Sequence, residues 1–191
     1  MIIRKSLIIL TVFWLAACSS SQSGKSYYQL PSTATEINPK GMISPDKQLQ
    51  LTGVNVADYL NGLGIVYQTN DVKYVMASNN LWAGSLQQQL QQALIENVNA
   101  SLPGWLITGQ HIQGSQKTLS VNVTGFHGRY DGTVIVRGDW MLSNGDKILI
   151  KPFDIQLMQQ GDGYDNLVRT LAKAWEQQND EMARIIANTA L

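Results

Sequence analysis

The sequence predicts an α+β fold, in which two main helices pack on a mainly antiparallel or mixed sheet. In most of the chain apolar and polar residues alternate, which is typical of half-buried strands. In two stretches the apolar residues instead recur every three or four positions, which is typical of amphipathic helices. The order is strands, helix, strands, helix, so we expect hairpins to form the sheet and both helices to cover one of its faces.

The strands before the first helix are predicted from short alternating segments. Residues 27–30 form a short candidate strand. In the next strand the apolar positions change parity at Gly53, which indicates a β-bulge. Residues 58–64 are irregular and rich in glycine, and residues 65–68 and 72–76 are predicted to pair as a hairpin.

The first helix is predicted from a period of four. Apolar residues recur at this spacing from Trp82 to Leu102, with glutamines between them. Asn79 or Asn80 is a plausible N-cap, because a short amide side chain can accept a hydrogen bond from the first helical turn. The dipeptide at 103–104, Pro-Gly, is expected to end the helix.

Two tight turns organise the strands of the second half. Residues 130–133 contain Asp-Gly and residues 143–146 contain Asn-Gly, and both dipeptides favour tight hairpin turns, which need positive φ angles. Pro152 lies in the strand that follows the second turn. Because proline donates no backbone hydrogen bond, this strand is expected at an edge of the sheet or at a bulge.

The chain is predicted to close with a long helix over about residues 164–190. Its apolar seam is nearly heptad, and Gln178 is the one polar residue that interrupts it. Asp162 and Asp165 stand where the helix begins. We expect them to cap its free N–H groups and to meet the positive end of its dipole.

The N-terminus has the pattern of an export signal. Arg4 and Lys5 precede an apolar run at 7–17 that is too short to span a bilayer, and small residues then lead to Cys18. This pattern looks like a bacterial lipobox, in which the cysteine is lipidated before the chain is cut ahead of it. The alternative is an ordinary signal peptide with an incidental cysteine.

The lipobox interpretation divides the chain into three parts. Residues 1–17 are the lipoprotein signal peptide, residues 18–26 are the lipidated cysteine and a flexible tether, and residues 27–191 form a single α+β domain. The residue after Cys18 is Ser19 rather than the aspartate of an inner-membrane retention signal. By that analogy the anchor is expected in the outer membrane, with the domain on the periplasmic face.

Composition and motifs exclude several classes of function. With 14 basic and 14 acidic side chains the chain lacks the basic surface of a typical nucleic-acid-binding protein. One cysteine permits no internal disulfide, and no hydrolase elbow, zinc-protease motif or phosphate-binding loop is present. His111 and His127 stand apart and are expected at the surface or at strand ends. We therefore predict no enzyme activity, no cofactor and no metal.

Two sets of apolar residues bear on partners. The tryptophans are expected in the core, although an aromatic surface for a partner or an acyl chain is the alternative. The loop at 58–64 is expected to expose Tyr59, Leu60 and Leu63. Exposed apolar loop residues often mark contacts, so these three form a candidate partner interface.

Six stretches resemble the ABC-type transport auxiliary lipoproteins, in addition to the lipobox. They are YYQLP at 27–31, DYL at 58–60, GIVYQT at 64–69, SNNLWA at 78–83, GRYDG at 128–132 and DGYD at 162–165. Where the family often has Glu-Pro after Trp-Ala, this chain has Gly84-Ser85, a departure that affects only the helix start.

The resemblance implies an outer-membrane lipoprotein that partners a periplasm-spanning MCE-domain protein and, through it, an inner-membrane component. Such systems are thought to move phospholipid between the membranes and to support envelope integrity. The resemblance brings no catalytic residues. Because an MCE partner is itself a ring, self-association of this chain is also an expectation.

Three hypotheses follow from the sequence. The first is a non-enzymatic docking subunit, fixed to the outer membrane by Cys18, that holds the distal end of a lipid conduit. The second is a self-contained lipid-binding lipoprotein, which needs an apolar cavity of a few hundred Å³ between sheet and helix. The third is an envelope hydrolase, for which no nucleophile and base can be named.

Overall fold

The computed structural model describes residues 24–31, 43–112 and 117–189. The predicted signal peptide, Cys18 and the first part of the tether lie outside these ranges. Within them, eight strands form one mixed sheet and two long helices accompany it, which confirms the α+β prediction.

The elements have the following bounds. The strands are β1 (Ser26–Tyr28), β2 (Gln48–Val56), β3 (Gly64–Gln68), β4 (Tyr74–Trp82), β5 (Leu106–Thr108), β6 (Lys117–Arg129), β7 (Thr133–Asn144) and β8 (Lys147–Met158). The helices are α1 (Leu86–Ser101) and α2 (Tyr164–Asn188), and short 3₁₀ turns lie at Pro45–Lys47 and Asp58–Leu60.

The longest strand, β6, organises the sheet. One edge of β6 pairs antiparallel with β7, and β7 pairs with β8, through the two predicted hairpins. The other edge is shared by β2 and β3, which both run parallel to β6. Outside them, β5 pairs with β2, while β4 and then β1 continue the sheet beyond β3. The predicted bulge in β2 is confirmed, because the register shifts between Leu51 and Gly53.

The start predicted for the first helix is wrong. Asn80 and Trp82 belong to β4, where they pair with Ser26 and Tyr28 of β1. The N-cap is Ser85, whose hydroxyl accepts a hydrogen bond from the backbone N–H of Gln88. Trp82 fits the period of four, but its pairing with β1 keeps this segment in the sheet, and the helix begins only at Leu86.

The start of α2 also differs from the prediction. The N-cap is Gly163, with a φ of 93°, and no side chain caps the free N–H groups. Asp162 lies before the cap, and Asp165 lies in the first turn. The capping role expected for these two carboxylates is therefore wrong, because the glycine cap leaves both of them outside the N-cap position.

Both helices pack on the same face of the sheet, α1 over β2 and α2 over β7 and β8. Trp82, Trp140 and Trp175 are at most 2% exposed and fill the space between the layers. The Trp175 ring contacts Phe126 and Phe153 edge-on, with ring centroids 6.5 and 6.2 Å away. Core packing is thus confirmed for these three tryptophans. We call this side of the sheet the covered face and the opposite side the open face.

Candidate partner surface on the open face

A cluster of three rings lies on the open face. Phe126 and Gly128 of β6 point toward the helices, where Phe126 meets Trp175 and Gly128 abuts Leu167. His127, between them, therefore points to the open face. The Tyr74 ring lies edge-on to His127, 5.1 Å between centroids, and the Tyr59 ring lies 5.2 Å from Tyr74. We call Tyr59, Tyr74 and His127 the ring cluster.

The loop at 58–64 is only partly the exposed loop that was expected. Its first residues form a 3₁₀ turn, and this turn directs Leu60 into the core, where its side chain is 1% exposed. The expected exposure of Leu60 is therefore wrong. Leu63 is 51% exposed, as expected, and Tyr59 is half-buried within the ring cluster.

Tyr59 joins the loop to the sheet through its half-buried phenol. Its hydroxyl donates a hydrogen bond to the carbonyl oxygen of Thr124, at 2.8 Å. Burial raises the pKa of Tyr59 to about 12, since an ionised phenolate would lose its water shell there. At physiological pH the group is neutral and acts as a hydrogen-bond donor, so it holds the loop against β6.

The strand and turn that carry Tyr74 expose more apolar side chains than the sequence interpretation identified. Tyr74 itself is 42% exposed, and Val72 and Met76, two positions before and after it, are 81% and 56% exposed. The signal that could have found them is the alternation in β4, because Tyr74 and Met76 stand two positions apart and so share one face of the strand. Tyr74 contacts Tyr59 directly, and Leu63 belongs to the same loop as Tyr59, so we group these residues as one candidate apolar surface.

His127 is buried, so the surface alternative expected for this residue is wrong, whereas its place two residues before the end of β6 agrees with the strand-end alternative. It is 3% exposed because Tyr74 covers it, and its Nδ1 lies 3.2 Å from the carbonyl oxygen of Gly128, to which it can donate a hydrogen bond. Burial lowers the pKa of His127, and the nearby Arg129 and Arg137 lower it further. Near neutral pH the ring is therefore uncharged.

His111 lies elsewhere and is exposed, as expected. Its Nδ1 is 3.2 Å from Oε1 of Gln50. Within the described ranges, no three or more His, Cys, Asp or Glu side chains come together in a group that could hold a metal ion. In the same part of the chain, neither helix has the length and apolar character needed to cross a membrane.

A groove runs between the two helices on the opposite side of the molecule. It holds about 350 Å³, and its floor includes Leu30, Ala172 and the edge of Trp175. Arg169 and Lys173, one turn apart on α2, stand in its wall. The space between helices and sheet, where the lipid-binding hypothesis requires an apolar cavity, is occupied by the buried tryptophans and their neighbours.

Comparison with known proteins places the chain in a family. The profile of the ABC-type transport auxiliary lipoprotein component matches residues 28–183. Over 190 residues the chain is 44% identical to the intermembrane transport lipoprotein PqiC of Escherichia coli K12, an alignment that covers 96% of this chain and 97% of PqiC. PqiC of Shigella flexneri matches to the same extent.

Solved structures agree with this assignment. A crystal structure of an uncharacterised protein, 46% identical, superposes with a TM-score of 0.77 and covers 85% of this chain and 99% of its own. A protein of Xanthomonas campestris, 14% identical, shares the fold with a TM-score of 0.67. The superposition covers 84% of this chain and 94% of that protein. The resemblance noted in the sequence is thereby confirmed: the chain belongs to the ABC-type transport auxiliary lipoproteins.

Proposed function

We propose that this protein is a non-catalytic, outer-membrane-anchored subunit of an MCE-type system that transports phospholipid between the membranes. In this role it docks a periplasm-spanning, PqiB-like MCE-domain protein, and through it the inner-membrane component, and supports envelope integrity. The observation that carries the proposal is the 44% identity to PqiC along nearly the full length of both chains.

The proposed anchor is Cys18, the only cysteine of the chain. In this proposal residues 1–17 are removed as a signal peptide, residues 18–26 are the lipidated tether, and residues 27–191 are the domain. The first strand begins at Ser26, eight residues after the cysteine. A fully extended chain of that length spans at most about 29 Å, so the domain would stay close to the periplasmic face of the membrane.

A non-catalytic role fits the side chains that were found. In the ring cluster the buried His127 and the half-buried Tyr59 lie within hydrogen-bond distance of backbone carbonyl oxygens rather than of a nucleophile. The carboxylate of Asp131 forms a salt bridge with the guanidinium of Arg129, and the carboxylate of Asp154 forms one with Arg137. These interactions stabilise strands and turns, which is a structural role and not acid–base catalysis.

We propose the apolar surface around the ring cluster as the docking surface. Apolar and aromatic anchors supply most of the binding energy at protein interfaces, and Leu63 and Tyr74 are exposed here beside the half-buried Tyr59. Leu60 is not part of this surface, because a charge at that buried position would disrupt the core.

The function is tested by affinity purification of the full-length, lipidated protein from gently solubilised membranes. We expect mass spectrometry to identify an MCE-domain protein among the retained chains. Recovery of the lipoprotein alone, under conditions that keep other envelope complexes intact, would refute the docking role. The mass of the eluted assembly also tests whether the chain self-associates.

The docking surface is tested in the same purification with a matched pair of variants. Leu63→Asp places a charge at a 51% exposed position of the proposed surface, and Ile150→Asp places one at a 60% exposed position of β8. We expect the first variant to lose the partner and the second to retain it. Equal retention by two folded variants would remove this surface from the proposal.

The second candidate is a self-contained lipid binder, and the groove between α1 and α2 favours it. An apolar floor with Arg169 and Lys173 in the wall suits an acyl chain joined to a phosphate. Native mass spectrometry of the protein should then show co-purifying phospholipid, and Ala172→Trp, which fills the groove, should remove it. Absence of bound lipid from the wild-type protein would eliminate this candidate.

A further inference from the structure

Three of the stretches that carry the family resemblance meet in one cleft that the docking role does not use. Each contributes a tyrosine: Tyr67 is the last but one residue of β3, Tyr130 lies in the β6–β7 turn, and Tyr164 begins α2. Gln159 and Asp162 add polar atoms to the wall, and the cleft holds about 420 Å³. We call it the tyrosine cleft.

The fold holds the floor of the cleft in place by close packing. Tyr67 pairs with Gly128 of the adjacent strand. A Cβ at position 128 would lie 2.9 Å from the Tyr67 ring and equally close to the Leu167 side chain. The glycine therefore lets the ring lie directly against the backbone, with Leu167 beside it. This packing orients Tyr67 before any ligand arrives.

The wall formed by residues 159–163 is also held by hydrogen bonds. The Gln159 side chain donates from Nε2 to the carbonyl oxygens of Gly161 and Gly163, both at 2.9 Å. The Gln159 backbone N–H donates to the carbonyl oxygen of Gly132, also at 2.9 Å, which joins this loop to the β6–β7 turn. The two loops that bear Tyr130 and Tyr164 are thus connected, so the cleft has a defined shape.

The electrostatics of the cleft favour a neutral ligand. Asp162 supplies one carboxylate, which would repel an anion. The first turn of α2 carries no side-chain cap, so its free N–H groups and the positive end of the helix dipole disfavour a cation. A ligand that suits both the Asp162 carboxylate and the N-terminus of α2 is uncharged and has many groups that can donate and accept hydrogen bonds.

We propose that the tyrosine cleft binds a saccharide. A pyranose ring has apolar C–H faces, which pack on tyrosine rings, and a rim of hydroxyl groups, which can donate to a carboxylate and accept from backbone N–H groups. A cleft of about 420 Å³ with aromatic walls and a few fixed polar groups matches such a ligand in size and chemistry. No bond is made or broken in this role.

Two sources in the envelope could present this chemistry, the amino-sugar strands of the cell wall and the neutral outer-core hexoses of lipopolysaccharide. The choice of these sources rests on the proposed location at the outer membrane. Binding itself requires no MCE partner, so a failure of the saccharide proposal leaves the partner purification unaffected, and the reverse also holds.

The test uses the full-length, lipidated protein in lipid nanodiscs and isothermal titration calorimetry. The probes are an N-acetylglucosamine tetramer and a neutral hexose oligosaccharide of the lipopolysaccharide outer core, free of phosphate and acidic sugars. Tyr130→Ala removes a 58% exposed ring from the cleft, and Tyr27→Ala removes a 62% exposed ring outside it as the matched control. Asp162→Asn is the second cleft variant.

We expect saturable binding of at least one probe, and the probe that binds identifies the source. Tyr130→Ala should weaken binding about tenfold, which corresponds to the loss of one stacking contact, while Tyr27→Ala should bind as the wild type does. Asp162→Asn should also weaken binding, with an unchanged circular dichroism spectrum. The proposal is overturned if neither probe binds, or if folded Tyr130→Ala and Asp162→Asn bind both probes as well as the wild type.

Discussion

The two faces of the sheet carry apolar residues for different reasons. On the covered face Trp82, Trp140 and Trp175 are at most 2% exposed and meet the helices. On the open face Met76 and Ile150 are 56% and 60% exposed, although both lie in regular strands. Burying an apolar side chain stabilises a fold, whereas leaving one in water does not.

The difference separates residues that maintain the fold from residues that are available to a partner. A substitution on the covered face should lower the free energy of unfolding. A substitution of an exposed residue on the open face should leave the free energy of unfolding nearly unchanged and affect recognition instead. Pairs of variants matched in chemistry but placed on opposite faces can test this division.

The largest difference is expected for Trp175→Ala and Ile150→Ala. The substitution Trp175→Ala removes the ring contacts with Phe126 and Phe153. It also removes the hydrogen bond that the indole N–H donates to the Leu90 carbonyl oxygen, at 3.2 Å. We expect a cost of about 3–5 kcal/mol, against about 0.5 kcal/mol or less for Ile150→Ala. Urea denaturation followed by circular dichroism measures both. If the two variants lost similar free energies of unfolding, the Ile150 side chain would be less exposed than the structure indicates.

Two glycines of the central strands offer the next test. A Cβ at Gly138, on the covered face, would lie 2.0 Å from the Asn122 carbonyl oxygen and 2.7 Å from the Phe153 ring. A Cβ at Gly125, on the open face, would meet the Cβ of Arg137 at 3.4 Å, an ordinary contact. Gly138→Ala should therefore destabilise the domain by about 1–3 kcal/mol and Gly125→Ala by much less. Thermal unfolding that ranks the two in the opposite order would contradict this account of packing.

Local patterns predicted the fold where neighbouring segments pair. The Asp-Gly and Asn-Gly turns correctly placed β6, β7 and β8, since those hairpins form between strands adjacent in the chain. The parallel pairing of β2 and β3 with β6 was not predicted, because it joins segments about 60 residues apart. Trp82 was assigned to the helix because it fits that period, and its place in β4 depends on the distant β1.

The candidate surface was predicted only in part for a similar reason. Leu60 and Leu63 look alike in a glycine-rich loop, yet a 3₁₀ turn directs only Leu60 into the core. His127 has no sequence signal for burial, because the ring that covers it, Tyr74, comes from another hairpin. Two properties depend on the tertiary structure: the direction of a side chain within a loop, and the burial of one side chain by a residue of another strand. Alternation and turn residues in the sequence therefore do not predict them.

Asn179 tests whether the covered face tolerates a polar group without a partner. The sequence identified Gln178 as the polar residue of the α2 seam, but its neighbour Asn179 is fully buried, and neither polar atom of its amide finds a hydrogen-bond partner among the residues described. We expect Asn179→Leu, which keeps four side-chain heavy atoms branched at Cγ, to raise the free energy of unfolding by about 1 kcal/mol. Urea denaturation measures the free energy of unfolding of Asn179→Leu and, for comparison, that of Asn97→Leu on α1. A loss of stability in Asn179→Leu would mean that the amide does have a partner.

The smallest expected effect concerns His127, the buried polar residue of the open face. Because burial and the nearby Arg129 and Arg137 lower its pKa below the ordinary 6.5, the unfolded chain takes up this proton before the folded one does as the pH falls. Stability from this site is complete above pH 6.5 and is lost as the pH falls below that value. His127→Gln, which cannot be protonated, should therefore show a shallower decrease in Tm between pH 7.5 and 5 than the wild type, since each kcal/mol lowers the Tm of a domain this size by about 2–4 °C. His111→Gln changes an exposed ring and is the matched control. If His127→Gln keeps the wild-type slope, the histidine is not desolvated, and the Tyr74 ring does not cover it in solution.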